Sequence, residues 1–571
     1  MRLRWTGVLL LAMGLLAPCR TGAVGTWTSV AASAPGGNQV QHVMLLSDGT
    51  VMAQQAGTTS NWYRLTPDMH GSYANGSWTT LASMSYSRQF YTSAVLRDGR
   101  VFVAGGEIVT GAINPGGNTA EVYDPQKNQW TVIPVPAGLI CTTCGGPGFS
   151  DCGSVILPDG RLLIAPVVPA SQNATVIFDP KSNTLSQGPA YLQNQNEATW
   201  VKLPDDSILT IDATQNINPP NTSERYIPSL NNGQGGWIPD RNVSVAMYNF
   251  AQEEGGAVLL PSGKAFFIGG QGHTALYTPS GSTNLGTWTP GPDVPGTNVG
   301  WDTPACMMAN GKVLFTLNCT PVCYYEFNPN AVPLTTANAY AAPASWNDTS
   351  GTMHNLLNLP SGNVLVSYGG SNPQIYIPDG VPVPSGKPSI TSISTEIAGV
   401  SYLLTGTKLN GISQGQSLGD DSQMDSNFPI VRLTDGSGNV YYAVTYNWSS
   451  TSVSTGSTPV TTEFTVPGIV PSGSYSLQVI ANGIASDPVS FTYNGPVWVD
   501  FTFSFVLEDG SYAFPFGTLA QGTNGVTSGG TIAIKGQYID ATLSPAVSHE
   551  TMTINKPMTI TAVGGAATIG H

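Results

Sequence analysis

The sequence predicts an all-β protein: a seven-bladed β-propeller, then an immunoglobulin-like β-sandwich, then a partial right-handed β-helix-like tail. Three observations predict it. One hairpin phrase recurs seven times at a period of about 50 residues, the mark of an array of units that cannot bury their faces alone. Further strand-like runs follow a proline-rich linker. Only 9 % of the 571 residues are charged while Gly (66) and Pro (43) abound, which suits short strands and tight turns rather than helices.

The hairpins are LLSDGTVMA from Leu45, VLRDGRVFVAGG from Val95, ILPDGRLLIAP from Ile156 and KLPDDSILTI from Lys202. LLPSGKAFFIGG from Leu259, MMANGKVLFTL from Met307 and NLPSGNVLVSYGG from Asn358 complete the set. Each joins two β-prone runs across a tight turn. A third strand follows, with an aromatic residue two before a proline: Tyr123, Phe178, Tyr226, Tyr277, Phe327 and Tyr376. The fourth is built on tryptophan: Trp78, Trp130, Trp237, Trp288 and Trp346, with Leu185 standing in once. Four strands make a propeller blade. The seventh unit lacks its tryptophan strand, and GTWTSV around Trp27 supplies it from the other end of the chain. That closure removes the exposed edges and places the propeller over residues 24–380.

Residues 1–23 carry Arg2 and Arg4, an apolar run from Val8 to Leu16, and small residues Thr21 and Ala23. They read as a secretory signal cleaved after Ala23, so the mature chain is expected to be secreted or extracytoplasmic. Cys19, in LAPC, resembles a lipoprotein box except for Pro18 before it. No later segment is apolar for long enough to span a membrane. A net charge of −14 with no basic patch argues against a nucleic-acid partner. Beyond the leader, Cys141, Cys144, Cys152, Cys306, Cys319 and Cys323 are disulfide candidates in an exported chain. Cys319 and Cys323 suit a local loop, and the remaining connectivity is open. Zinc is the weaker reading, because Cys141 and Cys144 have no second pair at suitable spacing.

After the linker from Gly380 to Ile390, short alternating strands over residues 388–494 predict the sandwich. Its loop from Gly419 to Asn427 gathers Asp420, Asp421 and Asp425, which suits calcium or, more plainly, a solvated polar loop. Residues 497–571 resemble the opening coil of a parallel β-helix, a unit that needs stacked neighbours.

The glycine pairs Gly105-Gly106, Gly269-Gly270 and Gly369-Gly370, with the aromatic-x-Pro and tryptophan strands, resemble kelch repeats. A seven-bladed kelch β-propeller followed by an immunoglobulin-like domain resembles the galactose oxidase superfamily over roughly residues 25 to 493. That resemblance implies a copper radical oxidase whose metal is held by two tyrosines and two histidines, one tyrosine being cross-linked to cysteine. One such histidine comes from the inner strands and the other from the sandwich, a nitrogen and oxygen set suited to Cu(II). This chain departs from it: no histidine lies between His354 and His549, and Met353 stands where the family has a ligand tyrosine. His42, Tyr91 and His354 occupy nearly equivalent positions in neighbouring repeats and form an alternative metal set. The plain reading is that they hydrogen-bond and pack within the inner strands.

Nine residues before the turn glycine or its equivalent stand Asp151, Glu197, Glu254 and Asp302, with Glu253 and Trp301 beside them. Superposed strands would make half of one channel mouth acidic. Such carboxylates could bind a cation or sugar hydroxyls, act as an acid and base pair, or simply hold backbone groups. Trp62-Tyr63 and Tyr324-Tyr325 read as core. The favoured function is non-catalytic binding of an extracellular glycan or surface polymer at that mouth. The alternatives are a copper oxidase of alcohols or aldehydes with a divergent site, and a structural or adhesive surface protein. The first requires no cofactor; copper or calcium belongs to the other metal readings.

Overall fold

The computed structural model describes residues 24–570 except 107, 111–118, 137–138, 140–151, 166–173, 194, 196–197, 213–221, 249–253, 297, 347–350, 352–353, 368–369, 416, 419–421, 505–507, 513 and 537–545. The expected leader with Cys19, and Cys141, Cys144, Asp151, Glu197, Glu253, Met353, Asp420 and Asp421, lie outside the described residues.

Seven four-stranded antiparallel sheets form the blades. Their first, innermost strands are Val40–Leu45, Thr92–Val95, Gly153–Ile156, Val201–Lys202, Ala257–Leu259, Ala305–Met307 and Asn355–Asn358. Adjacent blades share their apolar faces: Phe102 of blade two stacks on Phe178 of blade three at 4.3 Å, and Phe266 of blade five on Phe327 of blade six at 4.1 Å. The seventh blade is completed by Thr26–Ser29, which pairs with Gln374–Ile377. Closure by the N-terminal strand is therefore as expected.

The aromatic and tryptophan signals turn out to be one signal. They sit opposite each other across the two outer strands: Tyr123 faces Trp130, Tyr226 faces Trp237, Tyr277 faces Trp288, and Trp27 faces Tyr376. Leu185 takes the slot opposite Phe178. Blade six corrects the expectation for Trp346. Tyr340 lies opposite Phe327, and Trp346 falls at the far end of the strand, opposite Val322. A longer outer strand with a register shift moves the slot.

The turns after the inner strands all point to one face, where the sandwich docks. Thr445 N–H donates to the Ser47 carbonyl, Thr451 Oγ1 to that of Leu157, and Ser452 Oγ to the Asp206 carboxylate. Gly49, at φ 74°, is a turn residue for two reasons: the left-handed backbone, and the Tyr442 ring lying where a Cβ would stand.

The sandwich is an eight-stranded sheet folded on itself, with Val440–Tyr446 paired to both Ile430–Thr434 and Pro459–Thr465. The loop expected to be merely polar is a hairpin, Ser417–Leu418 with Ser422–Gln423. It packs against the inner strands of blades three and two and so enters the propeller channel. In the tail, Val497–Val499, Thr531–Lys535 and Thr559–Val563 pair in parallel, as do Ala546–Ser548 and Ala567–Ile569. The helix Leu519–Gly525 covers the first strand of that stack, begun by a Thr518–Gln521 capping box.

Candidate functional site

The sandwich docks on the turn face and its hairpin reaches the inner strands of blades two and three, while the opposite face carries the starts of the inner strands. The described candidates from the repeats, His42, Tyr91, Glu254, Asp302 and His354, lie there, near the start of an inner strand.

On the side of blades one and two, His42 and Tyr91 meet with ring centroids 5.0 Å apart. His42 Nε2 pairs with Ser93 Oγ at 2.9 Å, and Tyr91 Oη donates to Gln54 Oε1 at 2.7 Å. Burial lowers the imidazole to about 4, which keeps it neutral. His354 hydrogen-bonds Tyr324 of blade six through Nδ1. The three proposed ligands thus divide, with His42 turned towards blade two and His354 towards blade six. Among the described residues no group of three or more His, Cys, Asp or Glu side chains is placed to hold a metal ion. The four-ligand copper set implied by the resemblance does not fit these residues, since the sandwich has no histidine and each propeller histidine is engaged within its own pair.

The acidic half is partly assembled. Glu254 is fully buried, and Asp302 N–H donates to its backbone carbonyl at 3.0 Å. Glu254 Oε1 accepts from Thr199 N–H at 3.1 Å, while Oε2 has no hydrogen-bond partner. Asp302 adopts a left-handed backbone, φ 51°, and so does Phe90 at the equivalent position of blade two, φ 55°. Strained non-glycine residues of this kind cluster at functional rims. Trp301, Asp302 and Phe90 are all half-buried at the mouth, with Oδ1 of Asp302 itself buried.

Behind that rim lies a group the sequence reading missed. Asp212 and Glu224 hydrogen-bond each other, and Glu224 also accepts from Leu192 N–H and Gln195 Nε2. Gln195 in turn accepts from Trp200 Nε1 at 3.0 Å. Burial raises Asp212 to about 8 and pushes Glu254 well above the usual carboxylate range. Tyr248, whose Oη has no hydrogen-bond partner, feels the charge of Glu254, Asp212 and Glu224. Glu224 had a signal that the reading did not use, since it stands two before Tyr226 as Glu121 stands two before Tyr123; Asp212, just after the second strand of its blade, had none.

The expected core aromatics behave as core: Trp62 and Tyr324 are buried, as is Tyr63. Of the disulfide candidates, Cys319 and Cys323 are bonded, Cα atoms 5.5 Å apart, and sit in the loop next to Asn318, whose Nδ2 donates to the Trp301 carbonyl. Cys306 corrects the expectation. It is a free thiol buried in the inner strand of blade six, raised by burial to about 12. An inward-facing strand position against Tyr324 and Leu356 leaves it no cysteine partner. Cys152 is buried between blades two and three.

The kelch motif family model matches residues 90–134, the span of the second blade. The second blade is a kelch motif. The same four-stranded pattern is repeated around a ring of seven blades. A novel fungal alcohol oxidase with catalytic diversity among the AA5 family, solved in complex with copper, aligns with 83 % of this kelch protein and all of its own chain, at 14 % identity and TM-score 0.48. No curated protein matches the sequence. No helix among the described residues is long and apolar enough to cross a membrane.

Proposed function

We propose that this is an exported, non-catalytic binding protein whose open propeller mouth takes a neutral or weakly polar saccharide of an extracellular polymer. The observation that carries the reading is Trp301 beside Asp302: a half-buried indole next to an acidic residue of left-handed backbone, on the face away from the sandwich. An aromatic face supplies apolar contact for a sugar ring while a few fixed polar groups orient its hydroxyls. Phe90 across the channel offers a second apolar edge. Burial pushes the Glu254 carboxyl above the usual carboxylate range, which disfavours a charged cation ligand behind that rim.

A glycan array probed with the labelled full-length protein tests this. Trp301→Ala is expected to weaken the best ligand at least about tenfold, the effect of losing one stacking contact of roughly 1.4 kcal/mol. Binding that survives both Trp301→Ala and Phe90→Ala unchanged places the site elsewhere.

A second reading is copper held by a divergent set drawn from the His42–Tyr91 and His354–Tyr324 pairs, against which stands the turning of the two histidines to different blades. Stoichiometric copper lost in His354→Ala would support it. Copper indifferent to that substitution, or none, would end it.

A further inference from the structure

The sandwich meets blade four at a lysine. Lys202, at the end of an inner strand, is 2 % exposed. Its Nζ donates to the carbonyls of Ile156, at 2.5 Å, and Thr451, at 2.9 Å. Asn427 of the sandwich is also buried, and its Nδ2 donates to that same Thr451 carbonyl at 3.4 Å. The amine and the carboxamide are therefore neighbours that share one acceptor.

Asp425 completes the group. It lines the same small cavity and feels the charge of Lys202. Phe428 and Trp448, stacked at 4.7 Å with planes 3° apart, form the apolar wall. The cavity measures about 10 Å³, room for about one water at most. Burial lowers the Lys202 amine to about 8 and raises the Asp425 carboxyl to about 7. Burial thus brings the two titration ranges together, so that near neutral pH a fraction of the molecules hold an uncharged amine beside an uncharged acid, against a carboxamide.

We propose that Lys202 and Asn427 condense into an intramolecular amide bond, with Asp425 as the acid, so that the sandwich is covalently fastened to the propeller. The Lys202 Nζ lone pair attacks Cγ of Asn427, and Asp425 gives its proton to the amide as the carbonyl opens. The Cγ–Nδ2 bond then breaks, and ammonia leaves with that proton. Nζ passes one of its own protons back to Asp425. One C–N bond forms, one breaks, one ammonia is released, and nothing is oxidised or reduced. The new N–H keeps the Thr451 carbonyl as its acceptor.

Intact-mass measurement of the purified full-length protein, followed by proteolysis and peptide mapping, tests the bond. The expected result is a chain lighter by one ammonia, with a branched peptide joining the segments that carry Lys202 and Asn427. Asp425→Asn and Lys202→Met are each expected to restore the full mass. The wild-type peptide map decides the matter even if both variants fold poorly. Separate linear peptides, with an unmodified Lys202 amine and an intact Asn427 amide, would overturn the proposal. Loss of water with a Lys202–Asp425 link would overturn the choice of Asn427 as acceptor.

Discussion

Trp27 stands directly opposite Tyr376, ring centroids 4.7 Å apart, in the strand pair that joins the two ends of the propeller. The same Trp27 ring also lies edge-on to Tyr324 of blade six, 5.1 Å away. One residue near the start of the described chain therefore ties blade seven to its neighbour. Trp27→Ala is expected to lower stability by about 2–3 kcal/mol, the lower range for a partly buried aromatic. Urea unfolding measures it. An unchanged midpoint would mean that the backbone pairing alone closes the ring. Gly25→Ala should also destabilise, because a Cβ there would meet the Ile377 carbonyl oxygen at 2.2 Å.

The buried Arg88–Glu121 pair, 2.9 Å apart with both side chains fully buried, holds the approach to Tyr91. Glu121 also accepts from Ser85 and Tyr86 N–H groups, and Arg88 donates to the carbonyls of Gly105 and Thr119. Glu121→Gln leaves a buried guanidinium without its counter-charge, at an expected cost of about 3–5 kcal/mol. A cost under about 1 kcal/mol would show that the surrounding carbonyls suffice.

Stability should depend on pH in two opposed ways. Asp212 is raised to about 8, so the folded state keeps a proton that the unfolded chain releases near 4. Its contribution is full in acid and is lost as pH rises from about 4 to about 8. His42, lowered from 6.5 to about 4, works the other way: its contribution is present above 6.5 and is lost as pH falls to about 4. Asp212→Asn is expected to shrink the fall in urea midpoint between pH 5 and pH 8. An identical fall in both proteins would remove Asp212 from the account.

Thiol chemistry separates the cysteines. In the native protein, Cys306 should resist alkylation, being buried and about 12, and react only on unfolding. Mild reduction should add labels at Cys319 and Cys323. Labelling of native Cys306 at a comparable rate would show that blade six opens readily.

The blades were legible because their signal is periodic and each copy checks the others. The tyrosine–tryptophan slot could be read even across the ends of the chain, from Tyr376 to Trp27. Blade six misled at Trp346 because a register shift moves the slot to Tyr340, and a shift leaves no mark in spacing. The site was legible only along the inner strands. His42, Tyr91, Glu254 and Asp302 could be aligned to turns, whereas the partners that set their behaviour, Ser93, Gln54, Tyr324 and Asp212, come from neighbouring blades or outer strands. Which way a ring turns towards such a neighbour is decided by blade-to-blade placement. Asp425 was read as a solvated loop residue because a polar, glycine-rich segment packed against the propeller has the same composition as one in water.

The closing strand also imposes an order of assembly. Gly25 and Tyr376, joined by a hydrogen bond from the Gly25 N–H, are 351 residues apart, whereas blades one to six are built from local hairpins. The ring cannot shut until the last inner hairpin has been made and released, so the strand Thr26–Ser29 is the last one seated. Until then the chain is a crescent with two bare sheet edges, one on Gln374–Ile377 and one on Thr26–Ser29, each able to pair with another unfinished molecule. The hazard in producing this protein therefore lies in the waiting time before closure: slow delivery of the far end, or loss of the near one, leaves open arcs that join one another instead of themselves.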